Sequence, residues 1–397
     1  MVRHAGDVAT PQLLEFDLMA LSAVDDPYPM YAEARAGGPL AKGTVPGSWA
    51  VTTHAEVSAL LRDQRLGHRF PRDYIEFITG MGAAADLQQD FLLNHDPPEH
   101  TRLRALMSRA FKGLVVRKLR DHITELVDEL LDRALDRRTS DVIDDLAYPL
   151  PVQVICQLLN IDDIDRDRVR VRANALVSPD QKAQTESADW LRDYMGGVLR
   201  EREPDPDGDL LQRMLAAEDG EDAFTHHEIV ANAVLLFFAG FETTTNLIGN
   251  GCAALLAHPD QKERLFNDPS MAAVAVEEFL RYDAPVPFVN RLTLEPVEIA
   301  GHTIKPQRWV VLLLASANRD EKVFEEAAQL DISRKPNPHV GFGGGIHHCL
   351  GAMLARLEGE IAFNRLAERA RTFEPAGDPQ RRVSGVRSLA NLPVSIG

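Results

Sequence analysis

Ten residues near the C-terminal end constrain this chain more than any other stretch: Phe342-Gly343-Gly344-Gly345-Ile346-His347-His348-Cys349-Leu350-Gly351. A glycine-rich loop delivers one cysteine just before an apolar, helix-forming run, Leu350, Ala352, Met353, Leu354 and Ala355. Free backbone N–H groups and the positive end of the helix dipole meet a cysteine placed there, and both favour its thiolate. Glycines let the backbone approach something flat and bulky that a Cβ would hold off. A thiolate backed by amides and facing a planar group suits an axial haem ligand, in which sulfur pushes electron density onto iron and favours O–O cleavage.

The adjacent histidines raise a zinc alternative for His347-His348-Cys349. Zinc sites draw further Cys or His from a second knuckle at set spacing. The other two cysteines, Cys156 and Cys252, lie in helix-like apolar text without a partner and read as small buried hydrophobes. Composition bounds the rest. A chain of 397 residues with 45% hydrophobic content can bury a large core, and a net charge of −17 argues against nucleic-acid or anionic-lipid binding. Three cysteines fit a reducing cytoplasm rather than a disulfide framework. The start, Met1-Val2-Arg3-His4-Ala5-Gly6-Asp7, lacks the apolar stretch of a signal peptide. The longest apolar run, 233–241, falls far short of the ~20 residues that span a bilayer. The expectation is a cytoplasmic protein that needs no membrane.

Most of the chain is helix-like, with an acidic surface connection at 201–209 and no internal repeat. Strand-like text is confined to Trp49-Ala50-Val51-Thr52, to a hairpin of Val297-Glu298-Ile299 and Thr303-Ile304 turning at Ala300-Gly301, and to Trp309–Leu314. The pattern predicts a single, mainly α domain over residues 1–397 with small β-sheets. Thr225-His226-His227-Glu228 is a capping box that opens a helix, and helical text runs from it to about His258, where Pro259 ends it. The helix would span ~45–50 Å. Mid-helix it carries Gly240, the carboxylate of Glu242 and three threonines after a buried run. Each costs helix stability, and rule-breaking of this kind concentrates at functional sites. An acid beside a hydroxyl, where small residues widen the helix groove, can order water for a proton relay. A helix-packing glycine with a solvated Glu-Thr pair is the plainer alternative.

The chain resembles the cytochrome P450 haem-thiolate monooxygenases. Their haem-binding signature (Phe, Gly, any, Gly, any, His or Arg, any, Cys, any, Gly) is filled by Phe342, Gly343, Gly345, His347, Cys349 and Gly351. Their oxygen-activation motif matches Ala239, Gly240, Glu242 and Thr243. The resemblance implies the family fold around a buried haem b (iron protoporphyrin IX) with Cys349 as metal ligand. It implies that Thr243 holds its hydroxyl toward the reacting oxygen and that Glu242 belongs to the proton path. Glu278 and Arg281 would form a buried triad with Arg334. His100, Arg104, Arg291 and His347 would hold the haem propionates. Pro306-Gln307 departs from the family's common glycine turn, so a different hairpin turn is expected there, without loss of function.

The reaction implied is insertion of one oxygen atom from dioxygen into an apolar small molecule of polyketide, terpenoid or steroid type. Electrons would come from an iron–sulfur ferredoxin and its NAD(P)H-dependent reductase, since no flavin domain fits within this length. Arg102, Arg109, Lys112, Arg117, Lys118 and Arg120 offer a basic docking cluster, or else an ordinary solvated face. Helical spacing and loop position put Asn232, Leu235, Leu236, Val286, Pro287, Phe288, Phe70, Tyr74, Ile75 and Phe77 at the pocket wall, where they could equally be core. A peroxide-driven enzyme and a non-catalytic haem-thiolate sensor are the alternatives. The retained Glu242–Thr243 pair counts against both.

Overall fold

The computed structural model describes residues 15–17, 24–79, 82–112, 116–161, 168–169, 171–172, 175–176, 180–219, 222–382 and 385–397, without the side chains of 77–79, 112 and 116–118. Helices dominate it. At their centre lies the long helix His226–Ala257, opened by the expected capping box: Thr225 Oγ1 accepts from Glu228 N–H at 3.2 Å, and the Glu228 carboxylate accepts from Thr225 N–H at 2.8 Å. Apolar residues on nearly every side of this helix require burial all round. It packs against Pro149–Leu158, against Ala272–Tyr282 and against Ala352–Arg369, the helix that follows the cysteine loop. Pro259 ends the long helix and starts the next, Pro259–Asn267, because a missing N–H costs nothing at the first helical position.

A six-stranded sheet forms the second part. Its order is Glu15–Phe16, Leu40–Gly43, Ser48–Val51, Trp309–Leu312, Val289–Thr293 and Leu66–Gly67. Trp309–Leu312 runs parallel to Ser48–Val51 and antiparallel to Val289–Thr293. Val310 and Leu312 enter one apolar cluster with Val51 and Leu40, while Val311 and Leu313 enter another with Ala50 and Tyr31. Burial on both faces explains why this strand reads as a continuous apolar run rather than an alternation. The strand stops at Leu312, and Leu314–Ala317 form a short helix instead of the last strand residues expected. The hairpin Val297–Ile299 and His302–Ile304 turns as expected at Ala300 and Gly301, both with positive φ. At the departure noted above, Gln307 takes φ 58° and its N–H donates to Thr293 O at 2.7 Å. Strand pieces at 40–43, 66–67, 373–375 and 393–396 add to those read from sequence. Each is too short to show a period; 40–43 pairs with the neighbouring Ser48–Val51, while 66–67 and 393–396 are held by partners far along the chain.

Helix Ala352–Arg369 carries one anomaly, Glu358, buried at 2% exposure with Oε2 lacking a partner. Burial pushes its carboxyl up from 4.5 to about 8. The folded protein keeps this proton while the unfolded chain releases it, so the contribution to folding is full below about pH 4.5 and is lost as pH rises toward about 8. Glu358→Gln is expected to leave stability near wild type at pH 4.5 and to raise it by up to about 5 kcal/mol at pH 8. Urea unfolding at the two pH values checks this, and an equal gain at both would refute it.

Candidate active site

The cysteine loop closes on itself: Cys349 N–H donates to Phe342 O at 3.0 Å and Gly343 N–H to Val340 O at 2.8 Å. Gly343 and Gly345 take φ of 69° and 65°, which only glycine adopts freely. At Gly345 a Cβ would also strike Leu61 O at 2.5 Å. At Gly343 it would meet nothing nearer than His347 O at 4.0 Å, and at Gly351 nothing within 4 Å. The loop therefore leaves open room on the side where a planar group would lie.

Cys349 is exposed. The expectation that backbone amides favour its thiolate is corrected in one respect. Burial raises the Cys349 pKa above the ordinary thiol value, and the Gly351 N–H, Arg104 and Arg356 oppose this without overcoming it. A bound cation is what deprotonates a coordinating thiol outright. Arg356 is a site residue that sequence reading passed over. Its guanidinium lies 4.4 Å from the Phe342 ring centre, and Nε pairs with Glu277 at 2.6 Å. Burial would raise Glu277, but bonds from His339 and Arg356 hold it at about 2.

On the long helix, Leu235, Leu236, Ala239, Gly240 and Thr243 form a stripe that stays partly or fully exposed, flanked by the buried Phe237, Phe241 and Glu242. Thr243 Oγ1 donates to Ala239 O at 2.9 Å. That bond fixes the hydroxyl and leaves its lone pairs free to accept. Glu242 is buried at 6% exposure. Desolvation raises its pKa, and Arg382 and Asn246 only partly offset this. Its carboxyl is thus biased toward keeping a proton.

His100 and His347 come together as expected, with ring centres 4.1 Å apart. Arg104 donates to His348 O at 2.8 Å, and Arg291, 3% exposed, donates to Asn290 O at 2.9 Å. Sequence reading missed His68, which stacks on His347 with ring centres 3.5 Å apart. Burial and the neighbouring positive groups push His347 down to about 2 and His100 to about 4, and hold His68 well below the usual imidazole range. Desolvation lowers Arg291 to about 10. Both ring nitrogens of His100 and Nε2 of His347 and of His68 have no hydrogen-bond partner. Buried orphan donors beside an arginine call for an anion. The residues present therefore fit a haem, with Cys349 placed for the metal and this cluster for the propionates.

The triad is assembled in the structure. Arg281 Nε and Nη2 donate to the two Glu278 oxygens at 2.7 Å each, and Arg334 Nε reaches Oε2 at 3.1 Å. Glu278 and Arg281 are fully buried. Asn337 and the Asp331 N–H complete the carboxylate's bonds, while Arg281 also donates to the carbonyls of Asn318, Ala327 and Gln329.

The expected pocket wall divides. Leu235 and Leu236 lie on the open stripe. Asn232 does not belong to it: it is fully buried, accepts from Leu92 N–H at 2.9 Å and donates to Glu228 O at 2.9 Å, so it ties the helix to the segment before residue 93. Phe70 and Tyr74 stack 4.7 Å apart, and Tyr74 meets Trp309 edge-on at 5.6 Å. Phe288 packs with Trp309 against the sheet cluster of Tyr31 and Ala50, which makes it scaffold more than wall. Val286 packs partly buried against the cluster of Leu60 and Leu61, Ile75 is buried, and the Phe77 side chain lies outside the described residues.

The basic cluster also changes. Arg102 is committed to Glu99 at 2.9 Å and to Glu228, and Arg120 to Glu360 at 2.9 Å. Neither offers a free cation. The side chains of Lys112, Arg117 and Lys118 lie outside the described residues.

The family model described as Cytochrome P450 matches residues 174–394. Vitamin D(3) 25-hydroxylase of Pseudonocardia autotrophica is 39% identical over 96% of this chain and 97% of that protein. Cytochrome P450 monooxygenase PikC of Streptomyces venezuelae is 38% identical over 98% of this chain and 95% of that protein. Among solved structures, P450BioI in complex with hexadec-9Z-enoic acid ligated acyl carrier protein superposes with a TM-score of 0.88 at 34% identity, covering 95% of this chain and all of that one. CalO2 gives a TM-score of 0.89 at 32% identity, covering 97% of this chain and 99% of that one. No described helix is long and apolar enough to cross a membrane. A glycine loop presenting Cys349, a cluster of histidines and arginine suited to an anion beside it and near-full-length likeness to these enzymes agree: the chain belongs to the cytochrome P450 family and is a monooxygenase carrying a haem with a cysteine-thiolate ligand.

Proposed function

We propose that this protein uses haem b to insert one oxygen atom into an apolar natural product of medium or large size, with electrons from a ferredoxin and its reductase. The pairing of Glu242 and Thr243 carries the reading. A thiolate-ligated haem supplies oxygen activation when bound. The chain's own residues then have to deliver protons without flooding the site. Glu242, desolvated and biased toward its neutral form, can release a proton inward and recover one through the Asn246 and Arg382 side. Thr243, oriented by its bond to Ala239 O, offers an acceptor on the open stripe. A sensor or a peroxide-driven enzyme has no use for such a relay.

Glu242→Gln is expected to slow turnover by roughly 100-fold, the usual reach of one general acid. Thr243→Ala is expected to leave electron consumption near wild type while product falls several-fold and hydrogen peroxide rises. Product formed per electron consumed is the measurement, and unchanged coupling in Thr243→Ala would remove the relay.

The substrate class rests on the apolar stripe and on relatives: a vitamin D(3) hydroxylase, a polyketide-biosynthesis P450 of Bacillus subtilis, and CYP109E1 in complexes with corticosterone and testosterone. An optical titration against steroid and macrolide panels tests it through displacement of water from ferric iron. Exposed Ile346 and Met353 (42% and 71%) bracket Cys349 in the chain, Arg62 lies against the loop at Gly344, and Arg109 is exposed on the helix whose Arg104 reaches His348 O. An apolar centre among arginines suits an acidic one-electron donor. Arg109→Glu is expected to slow reduction by a ferredoxin about tenfold at low salt and far less at high salt. A salt-independent rate equal to wild type would refute that docking face.

A further inference from the structure

We propose that His68 is an additional cofactor-binding residue of this chain, whose free ring nitrogen donates to a haem propionate alongside His100, His347 and Arg291. The inference rests on the haem reading above and deepens it.

His68 lies just beyond the short strand Leu66–Gly67, on a different stretch of chain from the other members of the cluster. The Asp96 carboxylate fixes its backbone, accepting from His68 N–H at 2.8 Å and from Arg69 N–H at 3.1 Å. Gly67 permits that approach, since a Cβ there would lie 2.5 Å from Asp96 Oδ2. The imidazole is thereby set against His347, with ring planes 28° apart, at only 6% exposure. Its Nε2 has no partner, as Nε2 of His347 and both nitrogens of His100 have none, while its other ring nitrogen bonds the Leu93 backbone. Donation from Nε2 therefore needs a proton on both ring nitrogens, a form that a propionate beside the ring itself favours.

Three imidazoles and a guanidinium thus converge, and the carboxylate at hand, Asp96, is already occupied by two backbone amides. Packing alone does not explain the choice of residue. A phenylalanine would stack on His347 without burying an unpaired nitrogen, which costs about 1–3 kcal/mol. The arrangement is stable only with an acceptor in the recess, and a propionate supplies one. The same residue begins the 68–92 segment, whose Phe70 stacks on Tyr74 and whose Tyr74 meets Trp309. A propionate held by His68 therefore also anchors the start of that segment.

The test uses the haem-loaded protein and follows transfer of its haem to excess apomyoglobin, with the propionate-bending band in resonance Raman spectra as a second readout. His68→Phe keeps the stack and removes the donor; it is expected to release haem roughly tenfold faster and to shift the band. His68→Gln keeps a donor and is expected to stay within about twofold of wild type. Wild-type release and an unshifted band in His68→Phe overturn the proposal. So does an equal acceleration in Phe, Gln and Ala variants, which would mark a packing role. If His68→Phe does not fold, the contrast between Gln and Ala decides on the same readouts. Should the wild-type protein bind no haem with a thiolate signature, the haem reading itself fails, whatever the variants do.

Discussion

Replacing Cys349 by serine is expected to abolish monooxygenase turnover and to erase the carbon-monoxide difference band diagnostic of thiolate ligation. The physical basis is specific to this loop. Burial raises the Cys349 pKa above the ordinary thiol value despite Arg104, Arg356 and the Gly351 amide. Its thiolate character in the working enzyme therefore comes from the metal, and a serine hydroxyl, far less acidic, does not reproduce it. The propionate cluster is untouched by the change, so weak pigment binding is expected to survive in shifted form. Reduced-minus-oxidised spectra under carbon monoxide and product analysis are the measurements. A serine variant with the wild-type band would move the metal ligand elsewhere and dismantle the site as described.

Arg281→Ala is expected to have the largest effect on folding, a loss of about 3–5 kcal/mol. It would remove two charge-assisted bonds from the fully buried Glu278 carboxylate, leaving it Arg334, Asn337 and the Asp331 N–H, and take the side-chain donor from the carbonyls of Asn318 and Ala327. A loss of that size takes a large share of the roughly 5–15 kcal/mol by which domains are stable. Little soluble, haem-loaded protein is therefore expected. Arg281→Lys should fall between, because one ammonium cannot match a planar fork aimed at five acceptors. The double variant Glu278→Leu/Arg281→Met is expected to be less damaged than Arg281→Ala, since the fully buried pair goes together and only Arg334, which keeps the Glu325 and Gln329 carbonyls, loses its carboxylate. Urea midpoints and the yield of haem-loaded protein measure this. A single variant within about 1 kcal/mol of wild type would show that the triad does not hold the fold.

Local chemistry was legible where short spacing carries its own meaning. The Thr225–Glu228 capping box, the turn at Ala300–Gly301 and the glycines around Cys349 each state a backbone requirement within a few residues. The i, i+3 pair Glu278–Arg281 was legible as a pair, and order along the chain supplied Arg334 as its third member. Other readings failed for want of the partner. Asn232 has the helical phase of a pocket residue, yet Leu92 N–H and the Glu228 carbonyl claim its amide. Arg102 has the look of a free surface cation, yet it is spent on Glu99 and Glu228. Phe288 follows the triad helix as a wall residue would, but it packs against the sheet cluster of Tyr31 and Ala50. His68 carried no signal at all, because nothing near it in sequence shows that His347 will stack upon it.

What the amino-acid order determined alone is a set of local constellations: one cysteine in a glycine loop, an acid–threonine pair inside a long capped helix, and an i, i+3 ion pair. These depend on hydrogen bonds and dihedral angles between near neighbours, which spacing encodes directly. Tertiary structure alone decided which polar groups are spent and which remain free. It gathered imidazoles from residues 68, 100 and 347 into one recess, and it turned a single stripe of the long helix toward the cleft. Both outcomes follow from desolvation and long-range packing, whose energies belong to pairs of residues that meet only when the chain is folded.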